Sequence, residues 1–356
     1  MTRTFRISRR QEQVGWRATV LIVIAAVFMS LAAGLLLLIV QGISPLNGLI
    51  VLAQGAFGSG WALTDCLSKT IPLFLCSLGV AVAFRLQIWN IGAEGQFALG
   101  AVGATWVALT CAGLPKMALL PLMIVVACLA GGLWGLIPAL LRQRLGTNEI
   151  VVTLMMNYIA ILLLDFLVYG IWKDSSGFPM TVQFVPAAVI GKIGSSAISW
   201  GLVHCLGLGL LCWVFFRYTR WGYQLKICGE SVRVARYAGM PYDRLVILAM
   251  VVSGALAGWA GFLEASGQLN RLQPSIMAGY GYTAIVVAWL ARLNPLNIAI
   301  SSFLLAGLRV GVENLQLELQ VPAAFGQIIE GLILMTVLAG GFFITYRLVP
   351  VKHHER

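Results

Sequence analysis

Charged side chains are scarce in this sequence: Asp, Glu, Lys and Arg make up 10% of 356 residues, where soluble domains carry about a quarter. A chain this poor in charge cannot cover a large globule with a wetted surface, so an ordinary soluble fold is excluded. Histidine is scarcer still: His204, His353 and His354 are too few and too scattered for a metal site. The seven cysteines form no C-x-x-C pair. Six lie in or beside apolar runs, where thiols pack as small hydrophobes, so neither a disulfide framework nor a metal role is expected. Enzyme signatures are missing as well. There is no H-E-x-x-H, no G-x-S-x-G and no G-x-x-x-x-G-K-[ST]; "IGKIG" at 190–194 is the nearest imitation. The chain is not expected to be an enzyme, and nucleotide hydrolysis, if it drives this protein, belongs to another chain.

What is abundant is hydrocarbon. Hydrophobic residues reach 60% with a mean hydropathy of +0.90, gathered into runs of roughly 17–25 residues, the length that spans a bilayer core. Strand-like alternation is absent, and lipid leaves no backbone group to water, so the runs must be helices. The expected fold is all-α: a polytopic integral membrane protein with about ten transmembrane helices. The runs fall at 18–40, 71–88, 91–112, 117–141, 149–172, 198–216, 244–266, 280–292, 295–312 and 323–346. They divide the chain into a basic N-terminus (1–17), a transmembrane domain (18–346) and a short tail (347–356). The first run is too long for a signal h-region and reads as a retained anchor.

Ten spans put both termini on one side. With the termini in the cytoplasm, eighteen of the 24 Lys and Arg residues fall inside; only Lys69, Lys116, Lys173, Lys192, Arg271 and Arg309 fall outside. The positive-inside rule therefore places both termini in the cytoplasm. The net charge of +11 is a topology signal with some attraction to anionic lipid, and calls for no nucleic acid. The outer loops are 41–70, 173–197 and 267–279; the longest inner segment is 217–243. Without the first span, 71–172 and 244–346 are comparable at an offset of five helices, the arrangement of an inverted repeat, which places a substrate site at the repeat interface.

Two breaks punctuate these halves. "NIGAEGQ" (90–96) opens one span and "AGYGYT" (278–283) opens another; irregular backbone at membrane depth survives only inside protein or along a watery cavity. Three acidic residues lie within spans: Glu94, Asp165 and Glu330. Asn90 and Glu94, four apart, would share a helical face, as would Thr153 and Asn157. The pathway candidates are Asn90, Glu94, Gln96, Asn157, Tyr280, Tyr282 and Thr283, with Trp289 a further aromatic able to stack on a sugar or base. Two readings of Glu94 stand: an acceptor facing a hydrophilic pathway, or a cap at a helix start. Asp165 and Glu330 are equally open to a structural role. Gly131-x-x-x-Gly135 and Gly254-x-x-x-Gly258-x-x-Gly261 predict close helix packing within one subunit.

The inner segment 217–243 carries a second pattern. Residues 231–238 read as one or two helical turns with Ser231 as N-cap, stopped by Gly239 and Pro241. A short helix with a small-residue face suits docking into a partner's groove.

At these residues the chain resembles a permease subunit of ATP-binding-cassette (ABC) importers, in the branch for nucleosides and simple sugars. The resemblance lies in "FRLQIWNIGAEGQFALGA" (84–101), "GTNEIVVTLMMNYIA" (146–160), "CGESVRVARYAGM" (228–240), "GYGYTAIVVAWLARLNPL" (279–296) and "AGLRVG" (306–311). It implies a heterodimer with a second permease, two cytoplasmic ATPase subunits that use ATP and Mg, and an extracytoplasmic substrate-binding lipoprotein, in a bacterial inner membrane. No cofactor would bind this chain directly. It also implies that 229–239 is the coupling helix, with Gly229, Glu230, Ser231, Arg233, Ala235, Arg236, Ala238 and Gly239 meeting the ATPase. Ser231, Val232 and Val234 depart from the family's usual Gly-Glu-Asn-Pro and paired alanines. Glu94 would then accept ribose hydroxyls. A self-sufficient secondary transporter or channel, with Glu94 and Asp165 carrying ions, is the competing class; an intramembrane enzyme is a third.

Overall fold

A computed structural model describes residues 42–194 and 196–322, with 5–9, 346–350 and scattered positions of 25–39 and 324–340; Glu330 and most of the expected first and last spans lie outside the described residues. The elements run β1 (Phe5–Arg9), α1 (Pro45–Phe57), α2 (Gly60–Phe84), α3 (Ala93–Thr110), α4 (Lys116–Leu145), α5 (Glu149–Phe166), α6 (Gly201–Tyr218), α7 (Arg220–Glu230), α8 (Val232–Tyr237), α9 (Tyr242–Glu264), α10 (Tyr280–Leu290), α11 (Pro295–Leu319) and β2 (Tyr346–Pro350). Six described helices are long and apolar enough to cross a bilayer: α2, α4, α5 with its continuation to Ile171, α6, α9 with its continuation to Leu269, and α11.

The chain forms two compact units, Met1–Gly58 with Arg309–Arg356, and Ser59–Leu308. In the first, α1 starts with a proline at its first turn, where the missing N–H costs nothing. Asn314 at the end of α11 donates from Nδ2 to the Val51 carbonyl at 3.3 Å. The same unit holds a terminal ribbon that the helix-only expectation did not include: β1 pairs antiparallel with β2, Ile7 opposite Leu348.

In the second unit α9 is the central helix, packed by α4, α3 and α2, with α10 against α2. Glycine sets the spacing. A Cβ on Gly131 would strike the Gly254 carbonyl, and one on Gly100 would strike the Gly258 backbone. Backbones thus meet directly, and the gain is dispersion between close surfaces, since lipid offers no hydrophobic drive for helices to associate. The opposite face of α4 exposes Val125, Leu129, Leu133 and Ile137, one every fourth residue. Small residues inward and large apolar residues outward are what a lipid-facing helix requires. The expected intrachain glycine packing is present.

Two expectations give way. Residues 41–70 are not an outer loop but α1 and the first part of α2. Lys69, counted there as a loop charge, sits in α2 and pairs with Asp65 one turn away at 3.3 Å. Mutual neutralisation along one helix face hid this stretch, because a pair of charges interrupts an apolar run on any hydropathy reading. In 217–243, helix begins earlier than residue 231: α7 occupies 220–230. Its helical face Gly222, Leu225, Cys228 is buried, a stripe masked in sequence by Arg220, Lys226 and Glu230.

Candidate functional site

The break between α2 and α3 is built by backbone stereochemistry. α2 ends at Phe84, and Gln87 adopts a left-handed φ of 57°, which turns the chain away from the helix axis. Residues 85–92 run without helix until Ala93 begins α3. The second break mirrors this economy of residues: Gly279, with φ 82°, precedes α10.

Glu94 joins the two. Gly279 N–H donates to its Oε1 at 2.9 Å and Gly281 N–H to its Oε2 at 2.6 Å, and the residue is 1% exposed. Glu94 lies in the first turn of its own helix, α3, and caps the start of α10 as well. Two helix N-termini, each with the positive end of its macrodipole, therefore converge on one carboxylate. Charge-assisted bonds of this kind contribute about 1.5–3 kcal/mol each, enough to offset a centre-of-span cost of roughly 2.5–3.5 kcal/mol. Gly281 permits the approach, since a Cβ there would collide with the Glu94 backbone.

The amides complete the seam. Asn90 does not share a helical face with Glu94, because it precedes α3. Its Nδ2 donates to Gln96 Oε1 (3.0 Å) and to Ser253 Oγ on α9 (2.8 Å), and its Oδ1 accepts from Gln96 Nε2 (3.2 Å) and Gly92 N–H (3.1 Å). Asn157 on α5 accepts from Gly95 N–H at 2.9 Å and donates to the Ile91 carbonyl at 2.8 Å and Tyr282 Oη at 3.2 Å. Asn90, Gln96, Thr153 and Asn157 are all buried. Side chains thus supply the partners that the broken helices cannot supply for themselves. Of the two readings of Glu94, pathway acceptor or helix cap, the bonds to Gly279 and Gly281 are those of a cap, and the helix capped is not only its own but also one that begins 186 residues further along the chain.

The aromatics divide. Tyr280 is buried against Phe97, ring centroids 5.9 Å apart, while Tyr282 is half-buried. Thr283 Oγ1 bonds back to the Gly279 carbonyl at 3.1 Å. Trp289 is 43% exposed and stacks on Trp89, itself 36% exposed, with centroids 5.5 Å apart; Phe84 lies 5.2 Å from Trp89. Asp165 is half-buried on α5, eight residues along the helix from Asn157.

Ser231 caps α8, accepting from Val234 N–H at 3.4 Å, and Gly239 takes a φ of 70° to end the turn. Ala235 is buried inward, while Arg233, Val234, Arg236, Tyr237, Ala238 and Gly239 face outward. Glu230 is exposed and Gly229 half-buried. The outward surface is hydrophobic and basic, with Tyr237 96% exposed and Arg236 paired to Asp243 at 3.7 Å. Burial pushes the Cys228 thiol up, so it stays protonated at neutral pH.

Sequence reading missed Ser253, the glycine amides at 279 and 281, and Arg85. For Arg85 a signal exists: "RLQIWNI" (85–91) recurs as "RLNPLNI" (292–298), after α2 and after α10. Among the described residues no group of three or more His, Cys, Asp or Glu is placed to hold a metal ion.

Glycine-packed spans interrupted at a buried polar seam define a multi-pass membrane transport protein. Residues 62–338 match the family model described as "Branched-chain amino acid transport system / permease component". The glucose ABC transporter permease protein TsgB13 of Haloferax volcanii is 31% identical over 91% of this chain and 88% of that one. The guanosine ABC transporter permease protein NupP of Bacillus subtilis is also 31% identical, over 93% and 96%. The nucleoside ABC transporter permease protein NupB of Lactococcus lactis subsp. cremoris is 28% identical over 82% and 83%. The chain belongs to this permease family and is a membrane-spanning subunit of an ABC transporter.

Proposed function

We propose that this subunit passes a nucleoside or a simple sugar inward by alternating access, in a bacterial inner membrane. One observation carries the choice of cargo class. The N-termini of α3 and α10 converge, as half-helices do around anionic substrates in other transporters, but here the chain's own Glu94 already satisfies them. An amino-acid carboxylate would meet Glu94's charge instead of free amides. An uncharged, hydroxyl-rich solute meets no such repulsion, and the relatives for glucose, guanosine and nucleosides point the same way.

In this proposal Asn90, Glu94, Gln96 and Asn157 hold the two breaks in register, and Tyr282, Thr283 and the Trp89–Trp289 pair stand nearer the moving solute. The ribose-hydroxyl role expected of Glu94 becomes a framing role, because each of its oxygens accepts a backbone N–H. The same engagement disfavours Glu94 as a proton or Na⁺ carrier and so disfavours the self-sufficient secondary transporter. The remaining architecture is ten spans in an inverted repeat with both termini cytoplasmic, a second homologous permease, two ATPase subunits using ATP and Mg, and a binding lipoprotein outside. The outward face of 229–239 is the ATPase contact, through Glu230, Arg233, Arg236, Ala238 and Gly239.

Co-purification tests the arrangement. ATPase subunits are expected to remain bound to the wild-type chain and to be lost when 229–239 is replaced by a flexible Gly-Ser segment. Solute flux in proteoliposomes holding this chain alone, without ATP, would overturn it.

A further inference from the structure

We propose that Arg85 is the positioning residue through which displacement of the 220–239 segment enters the transmembrane body; the inference rests on the ATP-driven reading above. Four elements meet at this one residue. It follows the last residue of α2. Its guanidinium lies 3.6 Å from the centroid of Phe216, near the end of α6. Its Nη2 donates to the Leu293 carbonyl, in the turn after α10, at 2.9 Å. Gly229, in the last turn of α7, packs directly on its carbonyl oxygen, leaving no room for a Cβ.

The cytoplasmic segment is therefore not a tethered loop. α7 folds back so tightly on α6 that a Cβ on Gly222 would lie 2.5 Å from the Phe215 carbonyl, and α7 continues through the Ser231 cap into α8. A push on α8 reaches Gly229 across Glu230 and the Ser231 cap alone, and Gly229 bears on Arg85.

From Arg85 the path divides. One branch is the seven-residue turn to Asn90 and Gly92, which leads to Glu94. The other is α10, about 16 Å long for its 11 residues. Glu94 holds its N-terminal end and Arg85 grips the turn just past its C-terminal end, and these two residues are close in sequence. A strut fixed at both ends by one short segment moves with that segment. The Phe84–Trp89–Trp289 cluster reinforces the same junction. Arg85 Nε has no partner in this arrangement. Discrete alternative packings, not elastic bending, transmit such motion.

The test uses the complete transporter in proteoliposomes, with the ATPase subunits, second permease and binding protein, measuring ATP hydrolysis and solute uptake together. Arg85→Leu removes the bond to Leu293 and the charge over Phe216; Phe216→Leu removes only the stacking face and guards against misfolding of the first variant. Both are expected to co-purify with the ATPase and to hydrolyse ATP near the wild-type rate, while uptake per ATP falls about tenfold for Arg85→Leu and less for Phe216→Leu. Arg85→Lys, which can still donate to Leu293, is expected to restore part of the loss. A purely structural role would lower hydrolysis and uptake in parallel, and that result, or unchanged uptake per ATP in both variants, overturns the inference. ATP-independent uptake by the wild type would instead overturn the importer reading beneath it.

Discussion

Glu94 is tolerated in the buried interior because two backbone amides from a distant segment and the N-terminal dipoles of two helices surround it. Glu94→Gln keeps the shape but offers one carbonyl oxygen where two carboxylate oxygens stood, and turns an NH₂ toward the other amide. A loss of about 2 kcal/mol is expected, read as a lower melting temperature of the purified complex in detergent; Glu94→Ala should lose more. Tyr282→Phe removes a single 3.2 Å contact to Asn157 and should cost about 0.5–1.5 kcal/mol of stability. An equal loss in Glu94→Gln and Tyr282→Phe would contradict the stapling role. The oddity of Glu94 is legible from the sequence, since a carboxylate between two apolar runs demands a reason. Its partners are not. Backbone amides carry no residue identity, and those of Gly279 and Gly281 come from the opposite half of the chain. Asn90 was misplaced for a related reason: four-residue spacing implies a shared face only if the helix has already begun.

At the scale of elements, caps and glycines were readable and burial was not. Ser231, Gly239 and Pro241 mark α8 because each acts within a turn of its own position. α7 was hidden, since its buried stripe of Gly222, Leu225 and Cys228 is interleaved with charge. Ser231→Ala removes the cap of a six-residue helix and is expected to cost about 1 kcal/mol of local stability. Hydrogen exchange across 232–239 should quicken, while the glycine-packed helices keep their protection; Ser231→Asp should retain the slower exchange. Gly258→Val addresses the central packing. It drives a branched side chain into the α4 backbone at Ala127 and Gly131, and overpacking of this kind costs about 1–3 kcal/mol or more. Loss of a monodisperse complex on size exclusion is expected; an unchanged elution profile would mean the helices can part without penalty.

For the whole molecule, the expected orientation rests on eighteen inner against six outer basic residues, of which Lys69 and Arg309 lie within α2 and α11, each beside an acidic residue one turn away; labelling from each side tests it. Tyr237→Cys should react with a membrane-impermeant maleimide only in inverted vesicles, and Ser175→Cys, in the segment following α5, only in right-side-out ones. Native Cys228 should label slowly from either side at neutral pH. Its burial raises the thiol pKa, so the reactive thiolate accumulates only as pH climbs past the ordinary thiol range. The class of the protein was plain in composition alone, because lipid dictates helices. Which helices meet was not, because glycines on α3, α4 and α9 are compatible with several pairings until the folded chain selects one.

The central claim is that a seam neutralised by its own carboxylate passes uncharged, hydroxyl-rich cargo under ATP. Its most direct measurement is uptake by the complete transporter in proteoliposomes, offered labelled nucleosides, simple sugars and branched-chain amino acids in parallel, with and without ATP. ATP-dependent accumulation of a nucleoside or sugar, with no amino-acid uptake, is the expected result. Accumulation of the amino acids, or of any cargo in the absence of ATP, would contradict it.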